Sequence, residues 1–381
     1  MIIQSKKVWL IGQFYPAQIE IEGSKIKAIH KYNSKKVDID YGEHRILPGF
    51  IDIHAHGGYG FDVNYADEAG LRNWLSKLPL EGVCSILPTT LTQSHEELIR
   101  ALENVAKVHS SKYDGARIIG IHFEGPYLDM KYKGAQPPEH IRKPSVAEFK
   151  EFLKASNNLI KIITLAPEHD DNYELVHFLT QNNIVPSIGH SSCSYEEALL
   201  AISNGCNSMT HIFNGMSAFN HRENNLIGAA LRFKDVFGEV IPDGNHSSYA
   251  SLATLFAAKG RDRICTISDS LMAKGAKAGS RFNFGGHEIV VQENGSAKLL
   301  ETGSLAGSTL KINEGLRILV DEVGVQIDAA INSCTLNPAR LLKIDDHKAI
   351  IKAGYDADLV ILDKDYKVLE CYVMGEAKIN G

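Results

Sequence analysis

The chain has no CxxC pair: its six cysteines, Cys84, Cys193, Cys206, Cys265, Cys334 and Cys371, are scattered along its length. Such spacing excludes a disulfide scaffold and a thiolate metal cluster, and reads as reduced core thiols in a cytoplasmic protein. Long apolar runs are missing as well. Nothing approaches the roughly 18 uninterrupted apolar residues of a membrane span, and the opening Met1-Ile2-Ile3-Gln4-Ser5-Lys6-Lys7 has no basic segment leading into an apolar one. The expectation is a chain that is neither secreted nor embedded in a membrane. Positive charge is not in excess. Lys+Arg 40 against Asp+Glu 46 leaves a net charge of -6, without the basic footprint that nucleic acid or an anionic lipid surface requires. Low-complexity tracts and repeats are also absent. What is present is a 381-residue chain, 44% hydrophobic and 23% charged, able to bury one large core or two modest ones.

Two β-rich ends flank a long alternating middle. Ile19 and Ile21 alternate with Glu20 and Glu22, Gly23-Ser24 turns the chain, and Ile26 and Ala28 alternate with Lys25 and Lys27. This period of two predicts a half-buried hairpin. At the other end Ala357 to Leu362 and Val368 to Met374 read as strands. Neither end carries a core of its own, so residues 1–48 and 346–381 are expected to form one discontinuous small β-sandwich domain. Between them lie eight strand-like runs: Phe50 to His54, Val83 to Pro88, Arg117 to Phe123, Lys161 to Ala166, Ile184 to Ile188, Ser208 to Ile212, Gly238 to Pro242 and Ile264 to Ile267. Amphipathic helical stretches separate them, three opened by the capping-box pattern at Ser94/Glu97, Ser145/Glu148 and Ser194/Glu197. Repeated βα units predict an α/β fold, a (β/α)8 TIM-like barrel over residues 49–345, with a doubly wound sheet as the alternative. Asn294-Gly295, between Ile289-Val290-Val291 and Ala297 to Leu300, predicts a hairpin insertion near 280–302 at the barrel mouth. Helices are expected at Thr309 to Val323 and Ile327 to Leu342.

Histidine is plentiful, 16 in all, and its placement matters more than its number. His54, His56, Glu124, His190, His211 and Asp269 fall in or just beyond the C-terminal ends of predicted strands, where barrel active sites are built. Alternate strand residues point the same way, so His54-Ala55-His56 offers two imidazoles to one divalent cation. A donor set of imidazole and carboxylate without thiolate suits zinc, iron, manganese or cobalt. A metal with an open coordination position makes a hydroxide nucleophile at neutral pH and polarises a carbonyl, which is what amide hydrolysis requires. Asp269 can then take the proton of the attacking water and deliver it to the departing amine. A further metal ligand or a helix cap is the alternative for that residue.

Several stretches carry a resemblance: Leu47 to Gly57, His122-Phe123-Glu124-Gly125-Pro126, Ile188 to Ser191, Thr210 to Met216, Asp243 to His246 and Ser268-Asp269-Ser270, with Leu305 to Ser308 and Leu336 to Ala339. Through them the chain resembles the amidohydrolase superfamily, and within it the N-acetylglucosamine-6-phosphate deacetylases, over nearly its whole length. The resemblance implies that Glu124, His190 and His211 bind the principal metal, zinc or iron. His54 and His56 match a motif that supplies a second site in some members and is altered in others, so one or two ions per subunit are expected. Asp269 matches the catalytic acid/base, His246 a histidine that contacts substrate and polarises its carbonyl, and Arg222 the phosphate-binding arginine. Asn214, Gly215, Leu305, Ala306 and Gly307 match further contacts to an amino-sugar phosphate. A homodimer is implied as well. In Lys133-Gly134-Ala135-Gln136, many members have histidine at the position of Gln136 and use it to touch substrate across the dimer interface, so this contact is expected to weaken or be reassigned. Pro242 and Ser247-Ser248 also depart from the commoner form.

The sequence also admits other readings. The galactosamine epimer is a close alternative substrate. A cyclic-amide hydrolase would call for a carboxylated lysine at the end of the fourth strand, where Thr164-Leu165-Ala166-Pro167-Glu168 has none and Lys161 sits near the strand's start. A non-catalytic sugar-phosphate sensor would have no use for Asp269 as a proton carrier.

Overall fold

Branched apolar residues dominate the eight strand-like runs, and the structure, a computed structural model that describes residues 1–379, forms a strand at every one of them. The strands are Phe50–Ala55, Val83–Thr90, Ile121–Glu124, Ile160–Leu165, Val185–Ile188, Ser208–Met209, Phe237–Val240 and Ile264–Thr266. Each pairs in parallel with the next. The eighth returns to the first: the Asp269 N–H donates to the His54 carbonyl at 2.8 Å and the His56 N–H to the Ser270 carbonyl at 2.8 Å. A buried side-chain clasp reinforces the closure, the Ser268 hydroxyl donating to Asp52 Oδ2 at 2.6 Å. The expected barrel is therefore present, and its closing seam lies directly beneath the His54 to His56 stretch.

Helix His95–His109 places Leu98, Leu102 and Val105 in the main apolar cluster against the sheet, as its spacing predicts. The three expected capping boxes differ in detail. Only Ser194 and Glu197 make both reciprocal bonds. Ser145 accepts the Glu148 N–H, but the Glu148 carboxylate turns to Arg142 and Tyr127 instead of the cap backbone. At Ser94 the Glu97 carboxylate accepts the cap hydroxyl at 3.2 Å. The expected late helices appear as Ile312–Arg317, wound wider over Ile318–Glu322, then Ile327–Cys334 and Leu336–Leu341.

Strands from both termini join one eight-stranded sheet. Arg45–Pro48 is the link, parallel to Ile2–Leu10 on one side and antiparallel to Leu359–Leu362 on the other. The predicted hairpin is there as Gln13–Glu22 paired with Lys25–Lys31. Ile3, Ile19, Ile21, Ile26, Ile46, Leu359 and Ile361 form this sheet's own apolar cluster. The insertion after the eighth barrel strand is a three-stranded antiparallel sheet, Arg281–Phe284, His287–Val291 and Ala297–Leu299. Its apolar side buries Phe284, Ile289 and Val291 with Leu91, Leu271 and Ala306. All six cysteines are free and buried, and among the described residues no helix is long and apolar enough to cross a membrane.

Candidate metal centre and substrate pocket

At the C-terminal ends of five of the eight barrel strands the chain delivers a polar side chain toward the barrel mouth. His54 is the penultimate residue of the first strand and His56 lies just past its end. Glu124 ends the third strand and His190 follows the fifth. His211, expected within the sixth strand, lies beyond its end because the strand stops at Met209. Asp269 follows the eighth. His190, His211 and Asp269 take left-handed backbone angles, with φ of 48°, 33° and 47°. Each such angle costs a non-glycine residue on the order of 1–3 kcal/mol, and the surrounding structure has to enforce it.

These six side chains converge. Glu124 Oε1 lies 3.3 Å from His190 Nε2 and 3.2 Å from His211 Nε2, while Oε2 lies 3.3 Å from His56 Nε2. Asp269 Oδ1 faces His56 Nε2 at 3.3 Å and His54 Nε2 at 3.6 Å. Ligand atoms of Glu124, His190 and His211 lie within 4.8 Å of one another, as do those of His54, His56 and Asp269. Glu124 thus faces both groups, its Oε1 also lying 3.5 Å from His54 Nε2.

The outer ring nitrogens fix which atom of each imidazole faces inward. Nδ1 of His56 donates to the Thr89 carbonyl, Nδ1 of His190 to the Tyr132 carbonyl and Nδ1 of His211 to the Asn214 carbonyl. His54 Nδ1 lies 2.9 Å from Glu239 Oε2. With the outer nitrogens donating, all four Nε2 lone pairs point into one space. His190 Nε2 and His211 Nε2 are only 3.1 Å apart, and His54 Nε2 is buried with no hydrogen-bond partner. Nitrogens so opposed repel unless protons or a metal cation lie between them, and the donor set fits a divalent metal.

The electrostatics agree. Burial works against charge on His56 and His211, yet hydrogen bonds to Asp269 and Glu124 lift His56 to about 10, and Glu124 lifts His211 to about 9. Burial would raise Glu124, but His54 and His190 hold it well below the ordinary carboxylate range. Asp269 is held at about 2 by His54 and His56 against the same penalty. Two carboxylates kept ionised beside two imidazoles kept protonated describe a cage in which protons stand where a cation would bind.

The pocket above this cage is walled by Ala135, Gln136, Asn214, Gly215, His246, Leu305 and Gly307, with Phe284 reaching in from the insertion. Ala306 turns away into the apolar cluster. His246 Nδ1 is held by Asp243 Oδ2 at 2.7 Å, leaving Nε2 free for a substrate. Gln136 is buried inside its own chain's pocket: it donates to Glu124 Oε2 at 2.6 Å and accepts from the Thr92 N–H. Within its own chain, Gln136 is therefore committed to Glu124. Arg222 does not join the wall. It sits on the exposed loop of residues 218–224.

Glu239, His122 and Asp52 were not singled out by sequence reasoning. Glu239 lies mid-strand in Phe237–Val240, every residue of which is buried, and a lone carboxylate in such a run was the available signal. Burial pushes it up to about 7. The fourth strand offers no bridging lysine: Lys161 is exposed, and Glu168 is taken up by the Ser192 N–H and the Ser191 hydroxyl. A further grouping of Asp129, Glu168 and His169 has its donors engaged in the same loop, His169 with Asp129 at 2.8 Å.

Residues 45–380 match the amidohydrolase family. The chain belongs to that family. A protein of Bacillus subtilis (strain 168) described as N-acetylglucosamine-6-phosphate deacetylase is 42% identical over 329 residues, 85% of this chain and 82% of its own length. An N-acetylgalactosamine-6-phosphate deacetylase of Escherichia coli O157:H7 is 34% identical over 335 residues, covering 87% of each chain. Among solved structures, a mutant of N-acetyl-D-glucosamine-6-phosphate deacetylase from Mycobacterium smegmatis, in complex with N-acetyl-D-glucosamine-6-phosphate, superposes with a TM-score of 0.94. It is 28% identical and covers 100% of this chain and 99% of that one. Membership of this family brings the expectation of a divalent metal, which the inward-facing donor set meets.

Proposed function

We propose that this amidohydrolase hydrolyses the acetamide of N-acetylglucosamine 6-phosphate to glucosamine 6-phosphate and acetate. The observation that carries the reading is Asp269, an ionised carboxylate aimed at the His54 and His56 pair and opening onto the pocket. Glu124, His190 and His211 would hold the principal ion, zinc or iron, and His54 and His56 a second. Such an ion supplies Lewis-acid polarisation of the acetamide carbonyl and acidifies water.

The chain's own groups do the rest. Asp269 takes the proton of the attacking water as the carbon–oxygen bond forms, then passes it to the amine nitrogen as the carbon–nitrogen bond breaks. His246, oriented by Asp243, presents Nε2 to the substrate carbonyl. Gln136 fixes Glu124 from outside. Ala135, Asn214, Gly215, Leu305 and Gly307 wall the sugar. Arg222 suits the phosphate, since a guanidinium binds it in a bidentate fork. A homodimer in the cytoplasm is the expected form, with the boundary between the small β domain and the barrel at residues 48/49 and 345/346.

Acetate release from metal-replete protein tests the reading. Asp269→Asn keeps the size and tolerates the left-handed backbone, and is expected to lower kcat about 10²–10⁴-fold. Normal turnover in that variant would overturn the role of Asp269. Arg222→Ala should raise KM with kcat nearly unchanged. The E. coli relative named for the galactosamine epimer favours a second substrate reading, which kcat/KM on the two sugar phosphates decides.

A further inference from the structure

We propose that Glu239 is the positioning residue that fits His54 for metal binding and so governs whether the His54/His56 site fills. This inference rests on the metal reading of the pocket. Of the four inward-facing imidazoles, three are held at Nδ1 by backbone carbonyls, and only His54 is held by a carboxylate, at 2.9 Å. A carboxylate accepting the Nδ1 proton fixes the ring's orientation and raises the donor strength of Nε2, typically changing metal affinity about 10–100-fold.

Nothing else explains this carboxylate. Glu239 is completely buried and, among the described residues, pairs with no lysine or arginine. Oε2 receives His54 Nδ1 and, at 3.4 Å, the His211 N–H, whereas Oε1 has no hydrogen-bond partner. The remaining neighbour is already committed. His122 Nδ1 lies 4.0 Å from Oε1 but donates to the Ile53 carbonyl at 2.9 Å, and its Nε2 is occupied by Thr164 Oγ1. A buried carboxylate that no lysine or arginine pairs with, and that His211 reaches only through its backbone N–H, is unfavourable. His54 holding an ion would bring a positive charge within one imidazole of Glu239, which gives both unpartnered atoms, Glu239 Oε1 and His54 Nε2, a common reason to be where they are.

The test uses the full chain, stripped with a chelator and titrated with Co²⁺, following bound equivalents and the visible cobalt bands. Wild type is expected to take two equivalents, and His56→Ala to lose one. In Glu239→Gln that same equivalent should weaken about 10–100-fold with its bands altered, while the other stays unchanged. Glu239→Asp, which withdraws the oxygen, should do the same, and covers the case in which the glutamine variant does not fold. Wild-type isotherms in both Glu239 variants, or equal weakening of both equivalents, would overturn the role of Glu239 while leaving two sites in place. A single wild-type equivalent untouched by His56→Ala would instead overturn the two-site reading, and this inference with it.

Discussion

The candidate ligands were legible residue by residue because histidine and glutamate at strand ends announce both their chemistry and their place. Their partners were not legible. Glu239 meets His54 across 185 positions of sequence, and only barrel closure brings them together. Lys274 and Glu81 make the same point. Both are fully buried, with Nζ 2.8 Å from Glu81 Oε2, and the Tyr59 hydroxyl donates to the other oxygen at 2.6 Å. Removing one partner leaves a buried charge uncompensated, which costs about 3–5 kcal/mol, whereas replacing both by apolar groups of similar volume is often neutral. Lys274→Met is therefore expected to lower unfolding free energy by about that amount, and Lys274→Met combined with Glu81→Leu to recover most of it. Chemical denaturation of the single and double variants checks this. A double variant no more stable than the single would mean that the site needs the charges for its shape.

Elements were legible wherever a period could be counted, which is why every barrel strand and the Asn294-Gly295 hairpin appeared where expected. Boundaries were less so. The sixth strand stops at Met209 because the chain must turn His211 inward through a left-handed angle, a demand of the site that no propensity encodes. The insertion shows how an element's geometry reaches the pocket. Ala306 N–H donates to the Ala297 carbonyl at 3.1 Å, tying the last strand of the insertion to the segment that carries Leu305 and Gly307, and Phe284 packs 5.9 Å from His56. Gly295 turns the hairpin at φ 78°, where an added Cβ would meet only Thr309 Oγ1 at an ordinary 3.5 Å. Gly295→Ala therefore acts through backbone strain alone, about 1–2 kcal/mol. The expected result is a severalfold rise in KM with the global melting transition nearly unchanged. A large fall in melting temperature would show that the insertion is integral to barrel stability.

At the scale of the whole molecule, the sequence suggested that the two termini belong together but did not say how they are stitched. Arg45–Pro48 does it through the backbone, and a charge cluster does it through side chains. Lys348, mostly buried, reaches Asp358 at 2.7 Å and Asp356 at 2.9 Å, and Asp356 also receives Lys25 from the N-terminal hairpin at 2.6 Å. The Lys25 arm is half exposed and contributes little. The Lys348 arm is desolvated and stronger. Burial works against ionisation of Asp356, but Lys25 and Lys348 outweigh it and hold its carboxyl below the ordinary range. A carboxyl whose folded pKa is depressed stabilises the fold above its unfolded value, about 3.9, and loses that contribution as pH falls through the folded value. Asp356→Asn should therefore lower unfolding free energy at pH 7 by about 1–2 kcal/mol, since Lys348 keeps Asp358. The gap to wild type should narrow as the pH is taken down past about 4, because acid then removes from wild type what the substitution removed from the variant. Urea denaturation at pH 7 and again near the acid limit measures both gaps. An equal gap at the two pH values would mean that Asp356 acts through packing alone and that the backbone link carries the joint between the chain's ends.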